Sequence, residues 1–212
     1  EKLLGGSLVN NVIEYGVEKR RVKDIEESHR NLILNLKDKY TILGSVGLLI
    51  KRKGYLQLID LLVEKENYAV VIIGGGEEQE YLIKQAVKYN VSHRLLLCGF
   101  KNNASDYYPY FDIYMMTSYS EGLSLAMLEA LSFPLPLVCS DIPNHRACLD
   151  DEKVSFFELD NLTSLCKAVG KVKNNLDYYK ACSHSLWVEK FSSEAMGVKH
   201  IKFFNSVIAS NK

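Results

Sequence analysis

The chain has 212 residues, of which 47% are hydrophobic, enough to bury one core or two. Its 26 basic and 26 acidic side chains cancel, which removes any global electrostatic case for nucleic acid or an anionic membrane as partner. No apolar run approaches membrane-spanning length and no signal peptide is expected at the start.

Residues 1–39 read as a linker or the end of an incomplete N-terminal segment. Leu8–Tyr15 suits a strand and Ile25–Leu36 a helix, and the missing initiator methionine with a first segment unlike a domain start leads us to expect a piece of something longer. Tyr40–Leu49 is apolar enough for a buried strand, and Gly54–Lys65 has helical periodicity through Leu56, Ile59, Leu62 and Val63. Tyr68–Ile73 is a second strand, broken by Gly74–Gly76, which reads as a tight turn. Then come a helix over Glu77–Tyr89, a strand over Leu95–Cys98 closed by Gly99, and a short helical stretch over Ser105–Phe111. Ile113–Thr117 is a strand, followed by a helix from Ser124 to Ser132, a strand over Leu137–Cys139, a short helix over Asn144–Leu149 and a strand over Val154–Glu158. Helices over Leu162–Lys173, Leu176–Glu189 and Ser193–Ile208 close the chain, the last carrying Met196, Ile201, Phe204, Val207 and Ile208 on a stripe beside Phe203 that needs a partner.

Alternating helices and continuously apolar strands predict a parallel sheet covered on both faces. Right-handed crossovers make this an α/β, doubly wound, Rossmann-like domain over 40–191, with 192–212 as a C-terminal helix. Lys53-Gly54, Gly74–Gly76, Gly99-Phe100, Ser118–Ser124 and Asp141–His145 all follow strand ends and should crowd one rim of the sheet, where ligands collect in such folds. Cys98 and Cys139 fall in strand-like runs, and the five cysteines lack a Cys-x-x-Cys pair, so free thiols in a reducing cytoplasm are expected.

The segment from Ile113 to Ala130 holds the densest signal. A strand ends in small polar residues, then Glu121, Gly122 and a helix bearing Glu129. Amides at a helix start are unpaired donors at a positive dipole end and suit an anionic group. A carboxylate on each side could grip hydroxyls at both ends of a phosphate-linked ligand, the geometry of a nucleotide-sugar site. Their α-carbons should lie roughly 8–16 Å apart, so a hydrolase dyad fits only at the short end, since paired glycosidase carboxylates sit about 5–9.5 Å apart.

Here the order of segments becomes recognisable. From Tyr40 to Phe191 the chain resembles the C-terminal, donor-binding domain of retaining GT-B glycosyltransferases of the group 1, or family 4, type. The residues that carry this are Lys53-Gly54 after a glycine-bearing strand, the Gly74–Gly76 cluster, His93-Arg94 through Gly99-Phe100, Tyr108 through Ser118, Ser120-Glu121-Gly122 through Glu129-Ala130, and Pro136 through Asp141. The resemblance implies that Glu121 holds donor-sugar hydroxyls near the reacting carbon and that Glu129 binds the ribose hydroxyls. It places the diphosphate on the amides of Gly122, Leu123 and Ser124, with Lys53 neutralising the leaving group beside Gly47. The Gly99, Phe100 and Lys101 turn would edge the base. It further implies a UDP- or GDP-sugar donor, no metal and no other cofactor, a polysaccharide or glycolipid acceptor, and a missing N-terminal GT-B domain without which the fragment is inactive. A cytoplasmic setting follows, with peripheral contact of the full-length enzyme at the membrane's inner face.

There are departures. Leu48 stands where the family usually carries an arginine, Pro134 where it has glycine and Ala147 where it has an acid. Lys51 and Arg52 could replace the arginine, but their spacing points them to solvent. Those departures leave room for a binding module with impaired catalysis, and the shared two-domain architecture for a nucleotide-sugar epimerase. Glu77, Glu78 and Glu80 would repel a dinucleotide pyrophosphate. His145-Arg146 reads as a solvated loop pair, and Lys19-Arg20-Arg21 with Lys23 as a solvated linker, the alternative being contact with lipid headgroups.

Overall fold

The computed structural model describes residues 13–210. Its centre is a six-stranded, all-parallel sheet of β1 (Thr41–Val46), β2 (Tyr68–Ile73), β3 (Leu95–Leu97), β4 (Ile113–Met116), β5 (Leu137–Ser140) and β6 (Ser155–Phe157), in the spatial order β3-β2-β1-β4-β5-β6. The order runs outward in both directions from β1 and β4, so the winding reverses between them. This is the doubly wound α/β architecture expected.

Every residue of β2 is buried. Ala69, Val71 and Ile73 enter one core while Tyr68, Val70 and Ile72 enter the other. That is why the strand is continuously apolar: both faces are covered, and a polar side chain on either would be stranded from water. One core lies under α1 (Glu27–Lys37), a 3-10 segment over Ala104–Tyr110 and α4 (Leu125–Ser132). The other lies under α2 (Leu56–Glu64), α3 (Gln79–Lys88) and α6 (Leu162–Lys173), with α5 (Pro143–Cys148) following β5 at the rim.

Ile25 and Ile33 join the first core, so the stretch ahead of β1 is packed against the sheet. Of the strand expected over Leu8–Tyr15, residues 8–12 lie outside the described residues, and 13–15 are not a strand. Instead Val17 forms an isolated parallel bridge to Ser192. The indole of Trp187 secures it by donating to the Val17 carbonyl at 3.1 Å. α7 (Leu176–Leu186) stops short of Glu189 because the chain widens into a π-turn over Trp187–Phe191, which seats Phe191 in the core. α8 (Ser193–Ser210) has no buried residue and leaves Val198, Ile201, Phe204, Val207 and Ile208 open to water.

Gly74–Gly76 is extended, not the tight turn expected. Gly74 bridges Gly99, and the run lies against residues 47–49, with Leu49 N donating to Gly75 O at 2.9 Å. A Cβ at Gly74 would stand 1.9 Å from the Gly47 carbonyl oxygen. Glycine is required there by close backbone approach.

Candidate functional site

At the reversal point, the loops leaving β1 and β4 diverge to opposite halves of the sheet and open a crevice at the strands' carboxyl ends. Here they are knitted together. Residues Lys51–Lys53 make a single 3-10 turn closed by Gly54 at φ 63°, where a Cβ would sit 2.2 Å from Thr117 O. Thr117 Oγ1 donates to Lys53 O at 2.8 Å, Gln57 Nε2 to Thr117 O at 3.0 Å, and Tyr119 N to Arg52 O at 2.8 Å. These bonds fix where Lys53 emerges.

The Lys53 ammonium meets Glu121 Oε1 at 2.6 Å, and the hydroxyl of Ser118 donates to the same oxygen at 2.6 Å. The side chains of Lys53 and Glu121 are 15% and 7% exposed, so the pair is little screened, and charge-assisted bonds of this kind are roughly twice as strong as neutral ones. Burial pushes the Glu121 carboxyl up, but the bonds from Lys53 and Ser118 and the field of Arg52 outweigh it and hold the group below the usual carboxylate range. Arg52 does not simply face solvent as expected. It is half exposed, yet its guanidinium folds back to Ser120 O at 2.9 Å and lies 3.8 Å from Glu121 Oε2. The backbone bond between Tyr119 and Arg52 is what turns it inward.

Helix α4 begins at Ser124, whose side chain accepts from Met127 N at 3.4 Å as an N-cap. Among the described residues, the amides of Gly122, Leu123 and Ser124 donate to no backbone or side-chain acceptor. They are therefore available to an anion. One turn on, Glu129 Oε2 accepts from Tyr108 at 3.3 Å, while Arg20, from the segment ahead of α1, lies 3.7 Å from Oε1. Tyr108 is fully buried among Phe111, Tyr114 and Phe133; aromatic pairs of this kind are each worth about 0.5–1.5 kcal/mol, so the hydroxyl behind Glu129 is rigidly held. A void of about 10 Å³, one water in size, is walled by Lys53, Tyr55, Tyr114, Ser118 and Ser124 beneath this junction. Larger open clefts beside Tyr81 and Tyr119, about 450 Å³, and beside Asp60 and Asp160, about 300 Å³, include neither carboxylate.

Gly47 ends the run after β1 and lies alongside the Lys53 stem. Phe100, 72% exposed, projects from the rim next to Gly75. Lys101 turns away to Glu26 at 2.7 Å. His145 is no solvated loop residue: it is 1% exposed within α5, because its Nδ1 bonds the Ser140 carbonyl at 2.8 Å and draws the ring under the rim. Its neighbour Arg146 does stay outside, paired with Asp141 and Asp151 over the face of Phe156. Among the described residues no group of three or more His, Cys, Asp and Glu side chains is placed to hold a metal, and no helix is long and apolar enough to cross a membrane. Reading the sequence placed Ser118 at the rim without giving it a role, and missed Tyr108 and Arg20 as neighbours of Glu129.

Fold and site together define a doubly wound α/β domain with an anion-receptive helix start flanked by two supported carboxylates. Residues 25–185 match the family described as glycosyl transferases group 1, and the chain belongs to it. Its fold is that of the C-terminal half of GT-B glycosyltransferases. It is 24% identical over 201 residues to the O-antigen biosynthesis glycosyltransferase WclY of Escherichia coli, covering 95% of this chain and 57% of that protein. It is 31% identical over 180 residues to an uncharacterized glycosyltransferase of Haemophilus influenzae, covering 81% and 49%. The Anabaena protein HepE, solved in complex with UDP and glucose, superposes with a TM-score of 0.77 at 16% identity, over 92% of this chain and 56% of that one. The chain thus spans about half the length of the curated relatives it matches.

Proposed function

We propose that this chain is the donor-binding half of a retaining glycosyltransferase that carries a hexose from a UDP- or GDP-sugar to a polysaccharide or glycolipid acceptor. The observation that carries the reading is the junction of Lys53 and Glu121, 2.6 Å apart, beside three unpaired amides at the start of α4. A diphosphate laid on those amides gains Lys53 as counter-ion. Glu121 Oε1 is occupied by Lys53 and Ser118, while among the described residues Oε2 has only Arg52 at 3.8 Å, leaving it to accept from a sugar hydroxyl. Glu129, steadied by Tyr108, takes the ribose hydroxyls.

HepE, solved with UDP and glucose, and an E. coli relative described as UDP-Gal:alpha-D-GlcNAc-diphosphoundecaprenol alpha-1,3-galactosyltransferase, 29% identical over 151 residues, support a nucleotide sugar and a lipid-linked acceptor. In this reading protein groups carry the diphosphate charge without a metal, and acceptor contacts come from an N-terminal GT-B domain, so the chain alone binds donor and transfers nothing.

Calorimetry with UDP, GDP, ADP and their sugars tests it, with and without EDTA. One uridine or guanosine diphosphate should bind, with the chelator making no difference. Absence of binding by all of them refutes the reading. Leu48, 56% exposed at the rim, favours a second reading in which the site binds donor but is catalytically impaired.

A further inference from the structure

The Nε2 atom of His145 is buried and has no hydrogen-bond partner among the described residues, an uncommon state for an imidazole nitrogen. Its Nδ1 lies 2.8 Å from Ser140 O. A carbonyl only accepts, so Nδ1 carries the hydrogen and Nε2 keeps a lone pair. Burial disfavours protonation and holds the ring below its ordinary pKa, outweighing the Ser140 carbonyl and Glu121, with Lys53 adding to the same effect. The imidazole is therefore a neutral donor committed to one carbonyl.

That bond does not end at Ser140. The Ser140 hydroxyl donates to Ser118 O at 2.6 Å, and the Ser118 hydroxyl donates to Glu121 Oε1 at 2.6 Å. Ser118, Ser140 and His145 are all buried. Register places the two strand ends side by side, Met116 opposite Cys139, so the links span adjacent chains with no slack. Three hydrogen bonds, joined through the covalent frames of Ser140 and Ser118, connect α5 to the carboxylate.

We propose that His145 is a positioning residue for Glu121: through Ser140 and Ser118 it sets the orientation of the carboxylate, committing Oε1 to Lys53 and keeping Oε2 for a ligand hydroxyl. The ligand half of this statement rests on the donor-binding reading; the relay itself does not. His145 touches no reacting atom.

Two measurements test it. In the ligand-free chain, the Glu121 carboxyl is titrated by carbon NMR in Ser140→Ala, His145→Gln and His145→Asn. Asparagine keeps a donor at the Nδ1 position and glutamine moves it to the Nε2 position. The relay predicts an upward shift of the Glu121 pKa in Ser140→Ala and His145→Gln and a wild-type value in His145→Asn. Ser140→Ala leaves the ring in place, so a folding failure of the histidine variants cannot hide the answer. An unchanged titration in Ser140→Ala overturns the relay. By calorimetry, Ser140→Ala and His145→Gln should weaken UDP-glucose about tenfold, the worth of one hydrogen bond, and leave UDP within about twofold, while His145→Asn keeps both. Equal losses for both ligands mark general damage and overturn the positioning role. If the wild-type chain binds no nucleotide, the donor reading falls, and the titration alone decides the relay.

Discussion

Replacing Glu121 with glutamine isolates what the charge contributes, because shape and one carbonyl oxygen are kept. In the protein, Oε1 accepts from Lys53 and Ser118 at 2.6 Å each, and bonds to a charged group are worth about 1.5–3 kcal/mol against about 0.5–1.5 for neutral ones. Neutralising the acceptor should therefore cost about 1–3 kcal/mol in folding free energy, the smaller figure applying if Arg52 and water re-solvate Lys53. For a chain of this size that is a fall in Tm of roughly 2–10 °C. The sign with pH follows from the depressed carboxyl of the folded state. Stability from this group is complete above the unfolded carboxylate pKa and disappears as pH falls through the lower folded value. The difference in Tm between wild type and Glu121→Gln, followed by circular dichroism from pH 7 to pH 3, should hence shrink on acidification. Other acids cancel in the difference. An identical Tm at pH 7, or a gap that does not shrink between pH 7 and pH 3, refutes the claim that the Lys53 pair is energetically meaningful.

Gly54→Ala should lower the unfolding free energy by at least about 2 kcal/mol in urea titrations, since left-handed backbone costs an alanine about 1–2 kcal/mol and its Cβ would meet Thr117 O. A loss below about 0.5 kcal/mol would contradict the close approach. Glu129→Ala should change stability by less than about 1 kcal/mol, as Tyr108 still donates to Ala126 O at 3.0 Å, while weakening UDP at least about tenfold in calorimetry; undiminished binding removes Glu129 from the ribose. Leu48→Arg, at an exposed position, should tighten UDP about five- to tenfold with an effect that fades in high salt. No gain at low salt means that the rim at residue 48 does not face the phosphates.

The elements most legible in the sequence were those decided by local chemistry alone. β2 and α6 begin and end where their patterns predict, because β2 is apolar on both faces and α6 has a clear stripe after the Asn161 cap. β1 was read as Tyr40–Leu49 but ends at Val46. Beyond Val46 the chain still runs beside β2, with Gly47 N and Leu49 N donating to Ile73 O and Gly75 O, but Leu49 is buried while Leu48 is exposed at the rim. Composition cannot distinguish these. The carboxylates and helix start were visible as a local motif, but their supports come from distant segments. Arg20 is 109 positions from Glu129, and Arg52 is turned inward by a bond to Tyr119. His145 was misread because its neighbour Arg146 is a surface residue and the short helix α5 has too few turns to display a buried face.

The open apolar ridge on α8 bears on how this chain can be handled. Val198, Ile201, Phe204, Val207 and Ile208 face water along eighteen residues of helix, and the formal net charge is zero at neutral pH, so little long-range repulsion keeps molecules apart. This helix thus adds a continuous apolar strip through which molecules can associate. Replacing Phe204 and Ile208 with lysine should raise the concentration at which light scattering sets in while leaving the rim's chemistry alone.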